Sequence, residues 1–388
     1  MKRAAGFIVL LCFCLASNAL AVTNGWADEN GGTTGGEGGT VVTVDNFTDL
    51  EYYAEATAPY TIQVSGTINI GTDGFDIHAN KTIIGLGSDA TLVGNVGFQN
   101  REGNIILENL HITNPCTSSS CDGLSITQDI YNVHVTKCTI YDTGDGALDI
   151  SNRSNYITVS WCKFYYSSPA PVENHRFASL VGSRDSATDD DGKLKVTYHH
   201  NWWSDRVHER MPRVRYGQVH CYNNYFDCAG NNYCIGVGVS SHIRVENNYF
   251  NAVSDPWEDY YSDEPSYPAG HIGWNSGNEF EDCTEPTWAT NEYSTIFTPP
   301  YAYTFDDAAD LPTIVQAYAG AGTPYPPHWL YTVYGDFDRD GDVDMDDLGT
   351  FAGYWLDTND ITDADYYANG RVDMAEFALF AGNWFLGL

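Results

Sequence analysis

Apolar residues recur along the chain in short runs that repeat at a regular spacing. The segment Ile105–Ile112 has apolar residues at its first, third and last places. Runs of this length, bounded by Gly, Asn and Asp, predict β-strands and show little helical periodicity. The repeats begin 23 to 28 residues apart, apart from one interval of 39 residues. Five later segments share the outline: Val133–Ile140, Ile157–Phe164, Val196–Trp203, Val219–Phe226 and Ile243–Phe250.

This repetition predicts a parallel β-helix. A single unit cannot bury its apolar face alone, whereas stacked coils share one continuous core. The blades of a propeller need about 40 residues, so the observed spacing favours the β-helix. At the sixth place of the repeat, Asn201, Asn224 and Asn248 are expected to stack as a ladder of side-chain amides.

Cysteines occupy the same sixth place in two consecutive coils. Cys138 and Cys162 would therefore lie about 4.8 Å apart, the distance between neighbouring strands. This separation falls within the Cα range of a disulfide, so we predict that the pair is bonded. The alternative is two small hydrophobic side chains stacked on each other.

Two excursions interrupt the repeats. Ser167–Gly192 is rich in Pro and charge, and Ser254–Thr295 is rich in aromatic residues and Pro. Loops that project from a rigid scaffold often carry function. Residues 300–322 are expected to close the domain by packing back on the helix, and the Pro-rich residues 323–335 are expected to form a linker.

The first 21 residues have the pattern of a secretory signal peptide. Lys2 and Arg3 precede the apolar run Ile8–Leu15, and small residues follow at Ala19 and Ala21. This run is too short to span a membrane, and no later stretch approaches 18 apolar residues. We therefore expect a secreted, extracellular protein with no membrane span, whose main domain covers residues 22–322 and which is a monomer.

The charge of the chain is unevenly distributed. A net charge of −34 excludes unaided binding to nucleic acid. Eight of the 18 basic residues nevertheless fall between Arg176 and Arg215, while residues 331–388 carry 13 acidic residues. A local basic cleft on an acidic body can still attract an anion.

The C-terminal residues 336–388 contain a second repeat, with a spacing of 29 residues. Its first copy has acidic residues at loop positions 1, 3, 5, 9 and 12 and Gly341 at position 6, which is the pattern of a calcium loop. In the second copy Tyr367 replaces one ligand. The duplicated unit resembles a small α-helical dockerin-type module, which implies docking to a scaffold or cell surface. The ligands predicted for the first copy are Asp336, Asp338, Asp340, Asp344 and Asp347.

Several motifs follow one another along the chain: Gly31–Gly36, Asn80–Gly87, Asp145–Ile150, Tyr156–Trp161, Leu180–Ser186, Asp191–Asn201 and Glu209–Tyr225. In this order they resemble the pectate lyases of polysaccharide lyase family 1, and the resemblance covers about residues 25–320. It implies a right-handed, single-stranded parallel β-helix that cleaves α-1,4-polygalacturonate, the backbone of pectin, by calcium-assisted β-elimination. The products would be 4,5-unsaturated oligogalacturonides.

Three acidic residues form a candidate calcium site. Asp145 and Asp149 bracket a turn before a strand, and Asp122 lies one coil earlier. Stacked coils would bring the three carboxylates to one edge, and carboxylate oxygens suit Ca²⁺. The family resemblance carries calcium binding onto all three residues. The alternative is that Asp149 caps the turn.

The resemblance also assigns roles to the basic residues. β-Elimination needs a base that takes the weakly acidic proton from carbon 5, and this role falls on Arg210. Nearby cations would favour loss of the guanidinium proton, so an alkaline activity optimum is expected. Arg215, with Arg213 beside it, would bind the substrate carboxylate. Phe177 stands where the family often has a lysine, and Arg176 is a candidate replacement.

Other readings remain open at this point. Pectin lyases share the fold but act on methylated pectin without calcium, and the three aspartates argue against that function. A hydrolase would need paired carboxylates, for which Asp145 and Asp149 could serve. A β-helix that binds polysaccharide without cleaving it is also compatible with the fold, and the arginine cluster could pair with Glu209 and Asp205 on the surface.

Overall fold

The computed structural model describes residues 23–71, 74–98, 101–117, 121–260 and 266–326, together with 348–349, 351–352 and 377. The named α-helices of the described residues are α1 (Phe47–Ala54) and α2 (Leu311–Tyr318). The strands are β1 (Thr40–Val44), β2 (Tyr60–Val64), β3 (Thr67–Gly71), β4 (Lys81–Gly85), β5 (Thr91–Gly94), β6 (Val96–Phe98), β7 (Gly103–Glu108), β8 (His111–Thr113), β9 (Leu124–Ile126), β10 (Tyr131–Thr136), β11 (Thr139–Tyr141), β12 (Gly146–Ile150), β13 (Asn155–Ser160), β14 (Lys163–Tyr165), β15 (Phe177–Val181), β16 (Lys195–His199), β17 (Trp202–Trp203), β18 (Arg213–Val214), β19 (Gln218–Tyr222), β20 (Tyr225–Phe226), β21 (Tyr233–Val237), β22 (His242–Glu246), β23 (Tyr249–Asn251), β24 (Asp255–Asp259), β25 (His271–Trp274) and β26 (Glu279–Glu281).

These strands form three parallel sheets that run the length of a β-helix. From β4 onwards, each coil contributes one strand to each sheet in turn, so the chain winds around a common core. The first sheet has ten strands (β1, β2, β4, β7, β10, β13, β16, β19, β22, β25), the second has nine (β3, β5, β8, β11, β14, β17, β20, β23, β26) and the third has seven (β6, β9, β12, β15, β18, β21, β24). The predicted parallel β-helix is confirmed.

The sequence repeat corresponds to one strand of the first sheet, a turn, and one strand of the second sheet. Ile105 pairs with Val133, and Val133 pairs with Ile157 in the next coil. Equivalent positions of successive repeats are therefore the positions that pair between neighbouring strands. The last place of the repeat forms an inward-facing stack of rings. Phe164 and Trp203 stack at 4.4 Å between ring centroids, as do Phe226 and Phe250. Because each coil buries its neighbours, the core is continuous.

The predicted asparagine ladder is confirmed. The side-chain amide of Asn201 donates to Oδ1 of Asn224 at 3.0 Å, and the amide of Asn224 donates to Oδ1 of Asn248 at 2.9 Å. The ladder continues to Asn278 at 3.1 Å, one rung further than predicted. Each buried amide is satisfied by the coils beside it, which accounts for the repetition of one residue type at this place.

The predicted disulfide between Cys138 and Cys162 is wrong, because both are free, fully buried thiols. Their Sγ atoms instead contact the carbonyl oxygens of Thr136 and Ser160, each at 3.3 Å. Residues stacked in register point the same way along the sheet. A disulfide needs side chains that turn towards each other.

The N-terminal part of the described chain covers one end and one side of the helix. Helix α1 is capped by Asn46, whose side chain accepts from the Asp49 amide, and it buries Leu50 and Ala54. The segment around Trp26 crosses the outer face of the first sheet, where the Trp26 amide donates to Thr197 Oγ1 at 3.0 Å. No helix in the described ranges is long and apolar enough to cross a membrane.

Residues 300–322 pack back on the β-helix, as predicted. Leu311 and Val315 of α2 are buried in a cluster with Tyr225 of the second sheet. The contacts continue to Tyr325, whose hydroxyl donates to Glu108 at 2.6 Å. The predicted signal peptide and the predicted tail ligands lie outside the described residues, so the expected helical tail module is not described by the structure.

Candidate active site

The predicted site residues gather on the third sheet. Asp149 lies in β12, and its backbone pairs with Ser125 on one side and Leu180 on the other. Leu180 in turn pairs with Arg213 of β18. Asp145 immediately precedes β12, and Asp122 lies two residues before the start of β9. Since parallel strands stand about 4.8 Å apart, the four adjacent coils of β9, β12, β15 and β18 bring acidic and basic side chains to one surface.

Gly146 is the point on which two of the carboxylates converge. Its amide donates to Asp122 Oδ1 at 3.2 Å. A Cβ built on Gly146 would collide with Asp149 Oδ1 and would stand 3.5 Å from Asp122 Oδ1. Glycine therefore leaves the space in which the two carboxylates lie. Asp122 is further held by Ser125, whose hydroxyl donates to Oδ2 at 3.1 Å.

The three carboxylates share an environment that disfavours their negative charges. Burial, followed by the charge of Asp122, raises the pKa of Asp149 well above its usual value. Burial also raises the pKa of Asp122, where the charge of Asp145 adds to the effect, and the pKa of Asp145 itself. The positive charge of the Arg210 guanidinium opposes the rise in pKa at all three residues.

The donor set fits a hard cation such as calcium. Among the described residues, Asp149 Oδ1 is buried without a hydrogen-bond partner, and a cation would satisfy that lone pair and relieve repulsion among the carboxylates. Within the residues that the structure describes, no three acidic, histidine or cysteine side chains already stand at the spacing of a metal centre.

A disulfide that was not predicted from the sequence lies directly before Asp122 in the chain. Cys116 and Cys121 are bonded, with their Cα atoms 6.1 Å apart. The Asn114 side chain donates to the Asp122 carbonyl at 2.8 Å, on the same loop. The only signal in the sequence is the short separation of two cysteines beside a candidate ligand, which does not distinguish this pairing from the others.

Arg210 lies beside the acidic group on a segment that pairs with β15. The Ser179 amide donates to the Arg210 carbonyl at 2.6 Å. On the other side of the segment, the Met211 amide donates to the Cys234 carbonyl at 2.7 Å. Arg210 adopts a left-handed backbone conformation with φ 65°. Its guanidinium lies over the ring of Phe177, with 3.9 Å between Cζ and the ring centroid.

Two further arginines line the same surface. The guanidinium of Arg213 stacks over Tyr260 at 4.2 Å. Burial, together with the positive charges of Arg215 and Arg210, lowers the pKa of Arg213. Arg215 forms an ion pair with Asp185 and donates to the Gly182 carbonyl at 3.2 Å. The excursion that holds Asp185 thus orients the predicted carboxylate clamp.

Arg176 is placed differently from the other predicted residues. In the part of the chain that the structure describes, it contacts Glu173 and the Arg206 carbonyl and none of the three carboxylates. Its neighbour His175 reaches the acidic group instead, with Nδ1 3.4 Å from Asp145 Oδ1. Sequence reasoning did not single out His175, because its position depends on how the excursion folds back over β12.

Comparison with known proteins identifies the family of the chain. The model of the pectate lyase family matches residues 2–322. A pectate trisaccharide-lyase of Bacillus licheniformis is 34% identical over 324 residues, which cover 78% of this chain and 87% of that protein. A pectate trisaccharide-lyase of Thermotoga maritima is 33% identical over 330 residues, which cover 76% of this chain and 86% of that protein.

Solved structures agree with this assignment. A pectate lyase from Bacillus sp. N165 in complex with trigalacturonate has a TM-score of 0.64 and 28% identity, over 77% of this chain and 98% of that one. A pectate lyase bound to a hexasaccharide has a TM-score of 0.65 and 25% identity, over 80% and 99% of the two chains. From its β-helix, its site and these matches, the chain belongs to the pectate lyase family.

Proposed function

We propose that this enzyme cleaves α-1,4-polygalacturonate by calcium-assisted β-elimination and releases 4,5-unsaturated oligogalacturonides. The observation that carries the proposal is the register of the third sheet. The backbone of Phe177 pairs with Gly146, beside two of the carboxylates, and with Glu209, beside Arg210. The Arg210 guanidinium lies over the Phe177 ring. The relatives named as pectate trisaccharide-lyases and the solved complex with trigalacturonate support the same substrate class.

The arginines supply the groups that this reaction needs. Arg210 is the proposed base: a guanidine nitrogen takes the proton from carbon 5, and the electron pair forms the double bond between carbons 4 and 5. The glycosidic oxygen leaves carbon 4 and takes a proton from solvent. Arg213 and Arg215 are proposed to bind uronate carboxylates, for which a guanidinium fork is suited. Arg176 remains a proposed substrate contact at the edge of the site.

Calcium is the proposed cofactor, held by Asp122, Asp145 and Asp149. When bound, it would neutralise a uronate carboxylate and stabilise the charge that develops there as the proton leaves. The protein contributes the cradle at Gly146 and the unpartnered oxygen of Asp149. Because Oδ1 of Asp149 is buried without a hydrogen-bond partner among the described residues, Asp149 is the residue on which the calcium dependence should rest most strongly.

The decisive test is the ultraviolet absorbance of the unsaturated product on polygalacturonate, with calcium and with EDTA. The wild-type protein is expected to form the chromophore with calcium and to lose it with EDTA. Arg210→Ala and Arg210→Lys are expected to lose at least a hundredfold in kcat while unfolding at the wild-type denaturant concentration, because the base is removed without disturbing the core.

Each other outcome points to a different function. Reducing ends without the chromophore would mean hydrolysis, and cleavage of methylated pectin that ignores EDTA would mean a pectin lyase. Near-wild-type turnover by Arg210→Lys would contradict the base assignment. Binding without cleavage would leave only a polysaccharide-binding β-helix.

We further propose the organisation that the sequence predicts around this domain. Residues 1–21 would direct secretion, residues 22–322 would form the lyase domain of a monomeric extracellular enzyme, and residues 323–335 would link it to the tail. Residues 336–388 would form a dockerin-like module that binds calcium and docks to a scaffold or cell surface. In support, the rings of Phe351 and Phe377, one from each tail repeat, lie 5.9 Å apart.

A further inference from the structure

Phe177 occupies a position between the acidic group and the proposed base. It is the first residue of β15, and its backbone pairs with Gly146 on one side and Glu209 on the other. Gly146 cradles two of the carboxylates, and Glu209 immediately precedes Arg210.

The ring of Phe177 contacts the guanidinium of Arg210. Arg210 Cζ lies 3.9 Å from the ring centroid, well within the range of a cation–π contact. Arg210 Nε is buried and has no hydrogen-bond partner among the described residues. A guanidinium is usually oriented by hydrogen bonds to its planar fork. Contact with the aromatic face restricts the plane of the group.

The same ring also contacts the acidic side of the site. The His175 imidazole stacks on Phe177 with 5.2 Å between ring centroids and 28° between the planes. His175 Nδ1 lies 3.4 Å from Asp145 Oδ1. Phe177 is thus joined by direct contacts to Arg210 and, through His175, to Asp145.

Core packing does not account for this side chain. Phe177 is half-buried, whereas the inward-facing aromatic residues of the helix, such as Phe164 and Phe226, are fully buried. A half-exposed ring beside the proposed base contributes less to the core than those residues do. Its ring contacts Arg210 and His175 of the site.

We infer that Phe177 is a positioning residue of the lyase, whose ring holds the Arg210 guanidinium in the orientation required to reach the carbon 5 proton. The inference rests on the proposed function of Arg210 as the base. Small errors in the position of a catalytic group lower the rate of the chemical step more than they weaken substrate binding. Phe177 therefore acts on kcat through Arg210.

The test measures kcat and KM separately on polygalacturonate at saturating calcium. Phe177→Leu is expected to lower kcat by about 10- to 100-fold and to change KM by less than about threefold. Phe177→Tyr keeps the ring and is expected to retain kcat within about threefold. Phe177→Met fills the space without a ring and is expected to behave as Phe177→Leu, which provides a second variant if Leu impairs folding.

Tyr52→Leu is the matched control, because it removes a ring that is 69% exposed on α1. It is expected to leave both constants unchanged. Wild-type kcat in Phe177→Leu or Phe177→Met, or a loss that Phe177→Tyr does not rescue, would overturn the inference while leaving the proposed function intact. A rise in KM at constant kcat would also overturn it, by showing a role in substrate binding. If the wild-type protein forms no unsaturated product, the proposed function itself fails and this inference falls with it.

Discussion

Single buried residues in this protein are stabilised by groups that lie far away in the sequence. The ammonium group of Lys137 donates to the Tyr318 carbonyl, the Thr323 hydroxyl and the Pro324 carbonyl at 2.6 to 2.8 Å. Burial lowers the pKa of Lys137 to about 8. Three donors on one ammonium satisfy three oxygens at once, so Lys137 fastens the segment after α2 to the β-helix.

From the burial of His134 we expect the free energy of unfolding to depend on pH. Burial lowers the pKa of His134 from 6.5 to about 3. Between these values the unfolded chain binds a proton that the folded protein excludes, so the free energy of unfolding falls as pH falls from 6.5 towards 3. The contribution of one such group is about 1.4 kcal/mol per pH unit.

Urea unfolding of His134→Gln at pH 7, 6, 5 and 4 tests this expectation. The free energy of unfolding of the variant should fall less steeply with falling pH than that of the wild-type protein. The reason is that the variant lacks the imidazole whose protonation favours the unfolded chain. His111→Gln is the matched control for a histidine-to-glutamine change outside the core, since His111 is half-exposed and its ring nitrogen bonds to the Ser88 carbonyl. Equal slopes for His134→Gln and the wild-type protein would contradict the assignment.

At the scale of the elements, the turns between the first and second sheets decide how the coils stack. Asn224 donates to the carbonyls of Tyr198 and Tyr222 and to Asn248, and its Oδ1 accepts from Asn201. One amide thus connects three coils. In two earlier coils the same place of the repeat holds Cys138 and Cys162. The asparagine ladder begins next to Cys162, whose backbone amide donates to Asn201 Oδ1 at 3.0 Å.

The ladder predicts a large loss of stability on substitution of its central member. Asn224→Leu should lower the free energy of unfolding by about 4 kcal/mol, because buried partners left without a hydrogen bond each cost about 1–3 kcal/mol. Guanidinium unfolding measures the change. Asn251→Ala, at a half-buried position with side-chain bonds to Asp227 and Tyr225, is the control and should cost about 1 kcal/mol. Similar losses in the two variants would show that the ladder is not a special source of stability.

For the whole molecule, the sequence predicts two kinds of calcium site that can be separated experimentally. Asp336→Asn combined with Asp340→Asn removes two charges from the tail loop. Calorimetric titration should then show fewer bound calcium ions per chain than the wild-type protein, with cleavage of polygalacturonate retained. Asp149→Asn should abolish cleavage and leave the tail site intact. A tail variant that binds as many calcium ions as the wild-type protein would contradict the predicted loop.

The sequence by itself determined the parallel β-helix, its register and the asparagine ladder. Each depends on equivalent residues that recur in the sequence about once per coil, as Val133, Ile157 and Val196 do. It also selected Asp122, Asp149 and Arg210, because their motifs occur in the order that the family resemblance requires.

Only the tertiary structure decided which neighbours these residues have. The pairing of Cys116 with Cys121, the free thiols at Cys138 and Cys162, and the stacking of Arg210 on Phe177 depend on side-chain direction and on loops that fold back across several coils. A repeat specifies which residues share a rung, whereas the direction of a side chain is set by the packing around it. For that reason the fold was predictable in outline, and the contacts that orient the site were not.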